Sequence, residues 1–431
     1  MTTTTSQGGA ADPGRPALAR CLAVTPEEFA ASYWSTRPLL SPAGSRAGSF
    51  DDLFSAAAVD ELLSERGLRT PFLRLAKGGR VYKPADFTRG GGLGATIGDQ
   101  VADDKVLQQF TLGATLVLQG LHRIWPPLID FAQQLGTDLG HPVQVNAYVT
   151  PAQNKGFDAH YDVHDVLVLQ VAGEKRWRIH RPVHDHPLGD QPWTDHRAAV
   201  AARAQEEPVI DTVLRPGDAL YLPRGWLHSA EALGGTTIHL TVGIHATTRY
   251  DVVQALVALA ADSVELRESL PLGVVTADPT VLAAELDVTV KALVDRLSAA
   301  TAGDAITAVR GRADRLTRPE PIGPLAQQEA LASLTPDSRI RLRRHAQARI
   351  EDATQDDGVR VAELQTNIGS TRLPATHRPG LDALLDGEVH RVGDLPFPGD
   401  HLAIVADLLR EGFVVAVPDP STSSSAGHPA G

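Results

Sequence analysis

The feature that most restricts the fold is a change of hydrophobic period near Val143. From there to about Ile244 the segments VQVNAYVT, DVLVLQVAG, KRWRIHR, ALYLP and TTIHLTVGI are short, β-branched and often alternating, with Gly or Pro between them. Alternate side chains on a strand share a face, so each segment buries one face against something else. Several such segments in close succession predict an antiparallel sandwich or barrel. The flanks are helical in period. Thr25-Pro26-Glu27-Glu28 has the form of a capping box with Pro at the first helical position, and Phe29, Tyr33 and Trp34 follow at helical spacing. A second helix is predicted from Phe50 to Arg66, ending at Gly67. Beyond Tyr250, DVVQALVALAADSVELRESL and TVLAAELDVTVKALVDRLSAA carry apolar faces suited to pairing two subunits. Pro319 to Pro324 reads as a linker. Helices over Ala326–Leu334 and Ala403–Glu411, with FVVAV behind them, fit a winged-helix module.

Length and composition narrow the class. A chain of 431 residues has room for two or three domains, and 42% apolar with 21% charged residues suits a folded globular protein. No apolar run approaches the roughly 18 residues of a membrane span. The polar start MTTTTSQGGAADPGRP lacks the apolar core of a signal peptide, so a cytoplasmic protein is expected. Residues 1–20 and the tail from Pro418 read as disordered. The single cysteine, Cys21, excludes an intramolecular disulfide framework and a thiolate zinc cluster. A formal charge of −12 disfavours nucleic-acid and membrane partners and favours basic ones. Residues 323–420 hold fifteen acidic against ten basic residues, so the winged-helix module expected there lacks the cations that phosphate binding needs.

Chemistry concentrates in two segments. In Asp158-Ala159-His160-Tyr161-Asp162 the alternation of a strand places His160 and Asp162 on one face and Tyr161 on the other. An imidazole and a carboxylate together supply two metal ligands, although a bare HxD recurs by chance. Gly217 to His228 reads G-x5-P-x-G-x2-H, in which Pro223 and Gly225 bend the chain so that His228 faces inward. This segment resembles the second motif of the cupin superfamily, with Ala232 where that motif often has Asn. Two histidines and one carboxylate leave metal positions open, as non-haem Fe(II) oxygenases require. A closed zinc site would want a fourth ligand. Lys175 follows on the next strand segment. A lysine aimed into an apolar interior needs an anion, and the distal carboxylate of 2-oxoglutarate would provide one.

HYDVHDVLVLQVAGEKRWRIH and LPRGWLHSA, with YWSTRPLL at 33–40 and ATLVLQGLHRIWPPL at 114–128, resemble the ribosomal oxygenase subgroup of JmjC proteins from about Phe29 to Ile244. The resemblance implies a mixed α/β chain with a double-stranded β-helix core (the cupin/JmjC jelly roll), a helical dimerisation region and a C-terminal winged helix. The corresponding ranges are 21–249, 250–318 and 324–417. It implies His160, Asp162 and His228 as Fe(II) ligands, Lys175 as the 2-oxoglutarate anchor and Thr241 as a hydroxyl beside the same carboxylate. Asn146 would stand near the cosubstrate and Tyr148 near the substrate. Relatives often carry Ser two residues after that Thr, where this chain has Gly243. The implied activity is hydroxylation of a ribosomal protein by a homodimer, at histidine slightly ahead of arginine because relatives acting on histidine carry Lys at the anchor. The same chemistry on a small metabolite, and a non-enzymatic cupin-type binding or regulatory protein, remain as alternatives. His164, His180, His184, His186 and His196 read as solvated loop residues, Arg89 to Gly94 as a mobile loop, and Arg339 to Arg349 as a solvated helix face.

Overall fold

The structure, a computed structural model, describes residues 15–418 apart from 46–48, 95, 153, 155–156, 274–278 and 356. The expected disorder of residues 1–14 and 419–431 lies outside the described residues. Residues 15–20, expected to belong to the polar end, instead enter a core: Pro16–Ala19 is a short helix, Ala17 and Leu18 are buried, and the Leu18 amide donates to the Asp138 carboxylate at 2.9 Å. The chain divides into two compact units, 1–246 and 247–431.

Four strands of the first unit carry most of its architecture: β1 (Val143–Thr150), β2 (Asp165–His180), β3 (Ala219–Leu222) and β4 (Leu227–Ile244). All pair antiparallel. β4 lies between β1 and β2, with Thr241 opposite Asn146 and Val168, and β3 pairs with the first half of β2. Thr115–Leu118, Leu73–Lys77 and Arg80–Val81 extend the ladder beyond β1, and Ile210–Leu214 pairs with the second half of β2. The expected sandwich or barrel is thus realised as one long ladder that curls, because residues of its distant strands line a common cavity. One face of the ladder presents Val145, Ala147, Val149, Leu167, Leu169, Leu240 and Val242 to helices Ala56–Ser64 and Pro126–Leu139, which bury Val59, Leu62, Leu128 and Leu135. Burying such side chains contributes roughly 1.5–3 kcal/mol each. The opposite face belongs to the cavity. The first unit is thus a curled antiparallel sheet covered by helices, in line with the jelly-roll core that the resemblance implies.

DVLVLQVAG and KRWRIHR read as two strands, yet they form one. Gly173 alone interrupts the β-branched run, in a left-handed conformation (φ 66°), and a Cβ there would stand 2.5 Å from the Thr236 carbonyl oxygen. The ladder to β4 shifts register at the same level. Glycine therefore lets β2 bend where β4 approaches most closely. Gly173→Ala is expected to lower stability by about 2–3 kcal/mol through left-handed strain and the backbone clash. An unshifted urea midpoint would remove this account of the bend.

Helix Pro26–Ser32 starts as expected, with Thr25 Oγ1 accepting from the Glu28 amide at 3.2 Å. The second helix is shorter than predicted, Ala56–Ser64, because Ser55 caps it in place of Phe50. In the second unit the helices are Arg249–Ala258, Pro279–Ser298 and Ala302–Leu316, the last started by a capping box at Thr301 and Asp304. Behind them come helices Pro324–Ala332, Arg378–Leu384 and His401–Arg410 with two three-stranded antiparallel sheets. The basic stretch 339–349 is not a helix. Arg339–Leu342 is a strand flanked by His390–Arg391 and Val414–Ala416; its Arg341 pairs with Glu320, and Arg391 on the neighbouring strand pairs with Asp337. Among the described residues no helix is long and apolar enough to cross a membrane.

Candidate active site

The curled sheet encloses a cavity of about 530 Å³. His160, Asp162, His228, Lys175, Thr241 and Tyr148, all expected from the sequence, line it together. His160 and Asp162 are not on a strand proper. They lie just before β2, where His160 forms an isolated bridge with His228 and Tyr161 turns away into a small core with Val200 and Leu227. Their alternation survives, which is what brings both side chains to the cavity.

The three ligand-bearing residues present one donor atom each, all within 4.8 Å of one another. His160 Nδ1 donates to the Asp158 carbonyl at 2.7 Å and His228 Nδ1 to the Trp226 carbonyl at 3.1 Å. Because a carbonyl only accepts, these bonds protonate both Nδ1 atoms and leave each Nε2 lone pair free for a metal. His228 Nε2 faces Asp162 Oδ2 at 3.6 Å. Burial, then the neighbouring His160, holds His228 well below the ordinary histidine range, hence neutral. Burial pushes the Asp162 carboxyl up, but the fields of His228, His164 and His160 outweigh it and the net shift is downward.

At the buried end Lys175 is 3% exposed, with no carboxylate beside it among the described residues. Its ammonium reaches Thr150 Oγ1 at 3.2 Å and His239 Nδ1 at 3.4 Å, and burial pushes its pKa down to about 7. Thr150 also bonds Thr115 at 3.2 Å, so the hydroxyl beside the ammonium is Thr150, while Thr241 lines the wall. Asn146 departs from expectation: it is not among the lining residues, and its carboxamide oxygen accepts from the Gly120 amide at 3.0 Å. Tyr148 stacks on His239 with ring centroids 5.0 Å apart, and burial, with the Asp162 charge, pushes its phenol up to about 12.

Several lining residues escaped the sequence reading. Arg74 comes from the strand Leu73–Lys77, and its guanidinium lies 5.8 Å from the Phe157 ring centre. Trp177, Trp193 and Arg197 complete the wall. Arg74 had one legible signal, alternation with the buried Leu73 and Leu75. Gly243 sits where a Cβ would meet His164 Cε1 at 3.0 Å and Gln144 Cγ at 3.1 Å, so the two side chains occupy the space a larger residue would need. Of the discounted histidines, His180 is no loop residue, being buried at the end of β2, while His184 stacks on His196.

The residues present suit Fe(II) with 2-oxoglutarate. The nitrogen and oxygen donors leave open positions for exchangeable ligands, and a buried ammonium without a carboxylate calls for an anion. Trp177 Nε1 and Arg74 Nε, both buried in lining residues, have no hydrogen-bond partner among the described residues.

Comparison with known proteins agrees. A family model described as JmjC domain matches residues 129–252. The chain is 35% identical over 160 residues to human ribosomal oxygenase 1, covering 34% of this chain and 23% of that protein. Over a longer stretch it is 26% identical over 310 residues to the Aedes aegypti bifunctional lysine-specific demethylase and histidyl-hydroxylase NO66, covering 68% of this chain and 46% of that protein. The matches therefore span less than half the length of either relative. Among solved structures, Escherichia coli ribosomal oxygenase YcfD in complex with cobalt and succinic acid superposes with TM-score 0.54 at 18% identity, covering 92% of this chain and 99% of that one. Sequence and fold agree: residues 129–252 match the JmjC domain, and the chain is similar to the ribosomal oxygenases.

Proposed function

We propose that the chain is an Fe(II)- and 2-oxoglutarate-dependent hydroxylase acting on a ribosomal protein, at histidine ahead of arginine. The observation that carries this reading is one cavity in which the donor atoms of His160, Asp162 and His228 share a wall with buried Lys175. When bound, Fe(II) and 2-oxoglutarate supply, with O2, the conversion of an unactivated C–H to an alcohol, releasing succinate and CO2. The chain's own residues do the rest. His160, Asp162 and His228 would hold the metal, and Lys175 the distal carboxylate. Val166, Val168 and Trp177 keep water from the buried end. Tyr148 remains protonated at neutral pH and can donate from its phenol to a substrate acceptor.

The exposed end favours a neutral target. The exposed Arg80 and Arg197 line it, with Asp158 as the remaining lining carboxylate among the described residues, so a guanidinium would meet like charge where an imidazole would not. The relatives' names, ribosomal oxygenase and histidyl-hydroxylase, support the same substrate class. Intact-mass analysis of ribosomal proteins from cells with and without this chain tests it. One large-subunit protein should be heavier by a single oxygen atom, about 16 Da, when the chain is present. Identical masses would shift the chemistry to a small metabolite.

The helical range 250–318 supports a homodimer. Leu282, Leu286, Val290 and Val294 form an i, i+4 stripe on Pro279–Ser298, and all four are exposed by 43% or more. Stripes of this kind mark a protein contact. Light scattering should give a dimer, and Leu286→Glu with Val290→Glu a folded monomer. A wild-type monomer at micromolar concentration would contradict the proposal. Three helices with two small sheets support a winged-helix reading of 324–417, and its acidic excess favours protein docking over DNA.

A further inference from the structure

Behind the turn that leads into His228 lies a second cavity, of about 350 Å³, sharing no lining residue with the first. Three separate segments send guanidinium groups to its wall. Arg181 stands just beyond β2, Arg203 ends the helix Arg197–Arg203, and Arg224 belongs to the turn before β4. Among the described residues Asp185 is the single carboxylate of the lining, so arginines outnumber carboxylates on the wall itself, although Arg224 and Arg203 each meet an acidic group outside it.

The three cations differ in how far they are satisfied. Arg224 Nη1 meets the fully buried Asp165 at 3.4 Å and Ser35 Oγ at 3.0 Å, and its buried Nε has no partner among the described residues. Arg203 pairs with Glu206 at 3.1 Å on the surface, an arrangement that neutralises weakly. Arg181 has no acidic partner among the described residues. A second observation is independent of charge. Four described non-glycine residues have left-handed backbones, and two of them, Ser35 (φ 58°) and His186 (φ 49°), line this cavity. Strain of that kind persists where surrounding packing enforces it and gathers at ligand sites.

We propose that this cavity binds the phosphate group of a small phosphorylated molecule. Guanidinium forks match phosphate oxygens in pairs, and three of them around one space suit a dianion better than a monoanion. The volume is at the lower end of ligand sites, roughly 300–1,000 Å³, enough for a phosphate with a sugar-sized carrier. The occupant would touch the back of the metal turn, since Arg224 and Trp226 line the cavity and the Gly225 amide between them donates to the Asp162 carbonyl at 3.0 Å.

The test is titration of the full-length protein with inorganic phosphate and, separately, with ribose 5-phosphate, followed by calorimetry at low salt. Saturable one-site binding is expected, weakened about tenfold in Arg181→Gln and in Arg203→Gln by loss of a charge-assisted hydrogen bond. Both side chains are surface-accessible and hold no core together, so folding is not at stake. Tighter binding of the sugar phosphate identifies the ester as occupant; equal binding identifies the free anion. Lys175→Ala should leave the binding in place. Failure to saturate by about 10 mM, unchanged affinity in both arginine variants, or loss of binding in Lys175→Ala would each overturn the proposal, the last by placing the anion in the metal cavity.

Discussion

His160→Ala and Asp162→Ala should each abolish Fe(II)-dependent turnover of 2-oxoglutarate while leaving the protein folded. Each removes one of three donor atoms that lie within 4.8 Å of one another. Loss of a residue that merely orients a ligand commonly costs 10–100-fold in metal affinity, and loss of the ligand itself should cost more than about a hundredfold. The fold should tolerate the change. His160 and Asp162 stand at the cavity wall, half-buried, whereas Tyr161 between them supports the small core with Val200 and Leu227. Tyr161→Ala should therefore behave in the opposite way, lowering the melting temperature before it lowers metal affinity. Succinate release, metal titration and thermal melts on the same preparations separate these outcomes. Full turnover by purified Asp162→Ala would sink the metal assignment.

The donor triangle was legible because both halves of it are local. HxD needs only period-two alternation, and the G-x5-P-x-G-x2-H segment carries its own bend at Pro223 and Gly225. Lys175 was legible from its place on the segment that follows HxD and from the rarity of lysine in this chain. Thr115 and Thr150 were not, and the alternation around Arg74 did not place it in the site, since alternation gives the face a side chain occupies but not which distant strand curls opposite. Asn146 shows the same limit: its face was right, yet Gly120 claims its carboxamide oxygen. Periodicity also failed where two periods coincide. The arginines of 339–349 suit a helix face, but Ile340 and Leu342 alternate with them and Ile340 is fully buried in a strand. Strands Arg349–Thr354 and Gly369–Pro374 are too polar to announce themselves, and pairing with Arg360–Thr366 forms them.

Lys175→Met should have effects of opposite sign on stability and on cosubstrate binding. Burial pushes the lysine from its ordinary value of 10.5 to about 7. Between those values the unfolded chain holds a proton that the folded chain does not, so stability rises with pH across that window. The penalty is fully present below about 7 and absent above 10.5. Methionine removes it, and the variant should melt higher than the parent at neutral pH. Binding should move the other way. The ammonium donates a charge-assisted hydrogen bond to the distal carboxylate, worth roughly 1.5–3 kcal/mol, so the variant should bind 2-oxoglutarate about ten- to a hundredfold more weakly. A bound dianion raises the lysine's pKa, so binding above pH 7 draws a proton from solution, and affinity should fall by up to about tenfold per pH unit there. Calorimetry at pH 8 in two buffers of different ionisation enthalpy reads that uptake directly. Parent protein should take up close to one proton and Lys175→Met none. If the parent takes up none, another cation holds the carboxylate and the role given to Lys175 fails.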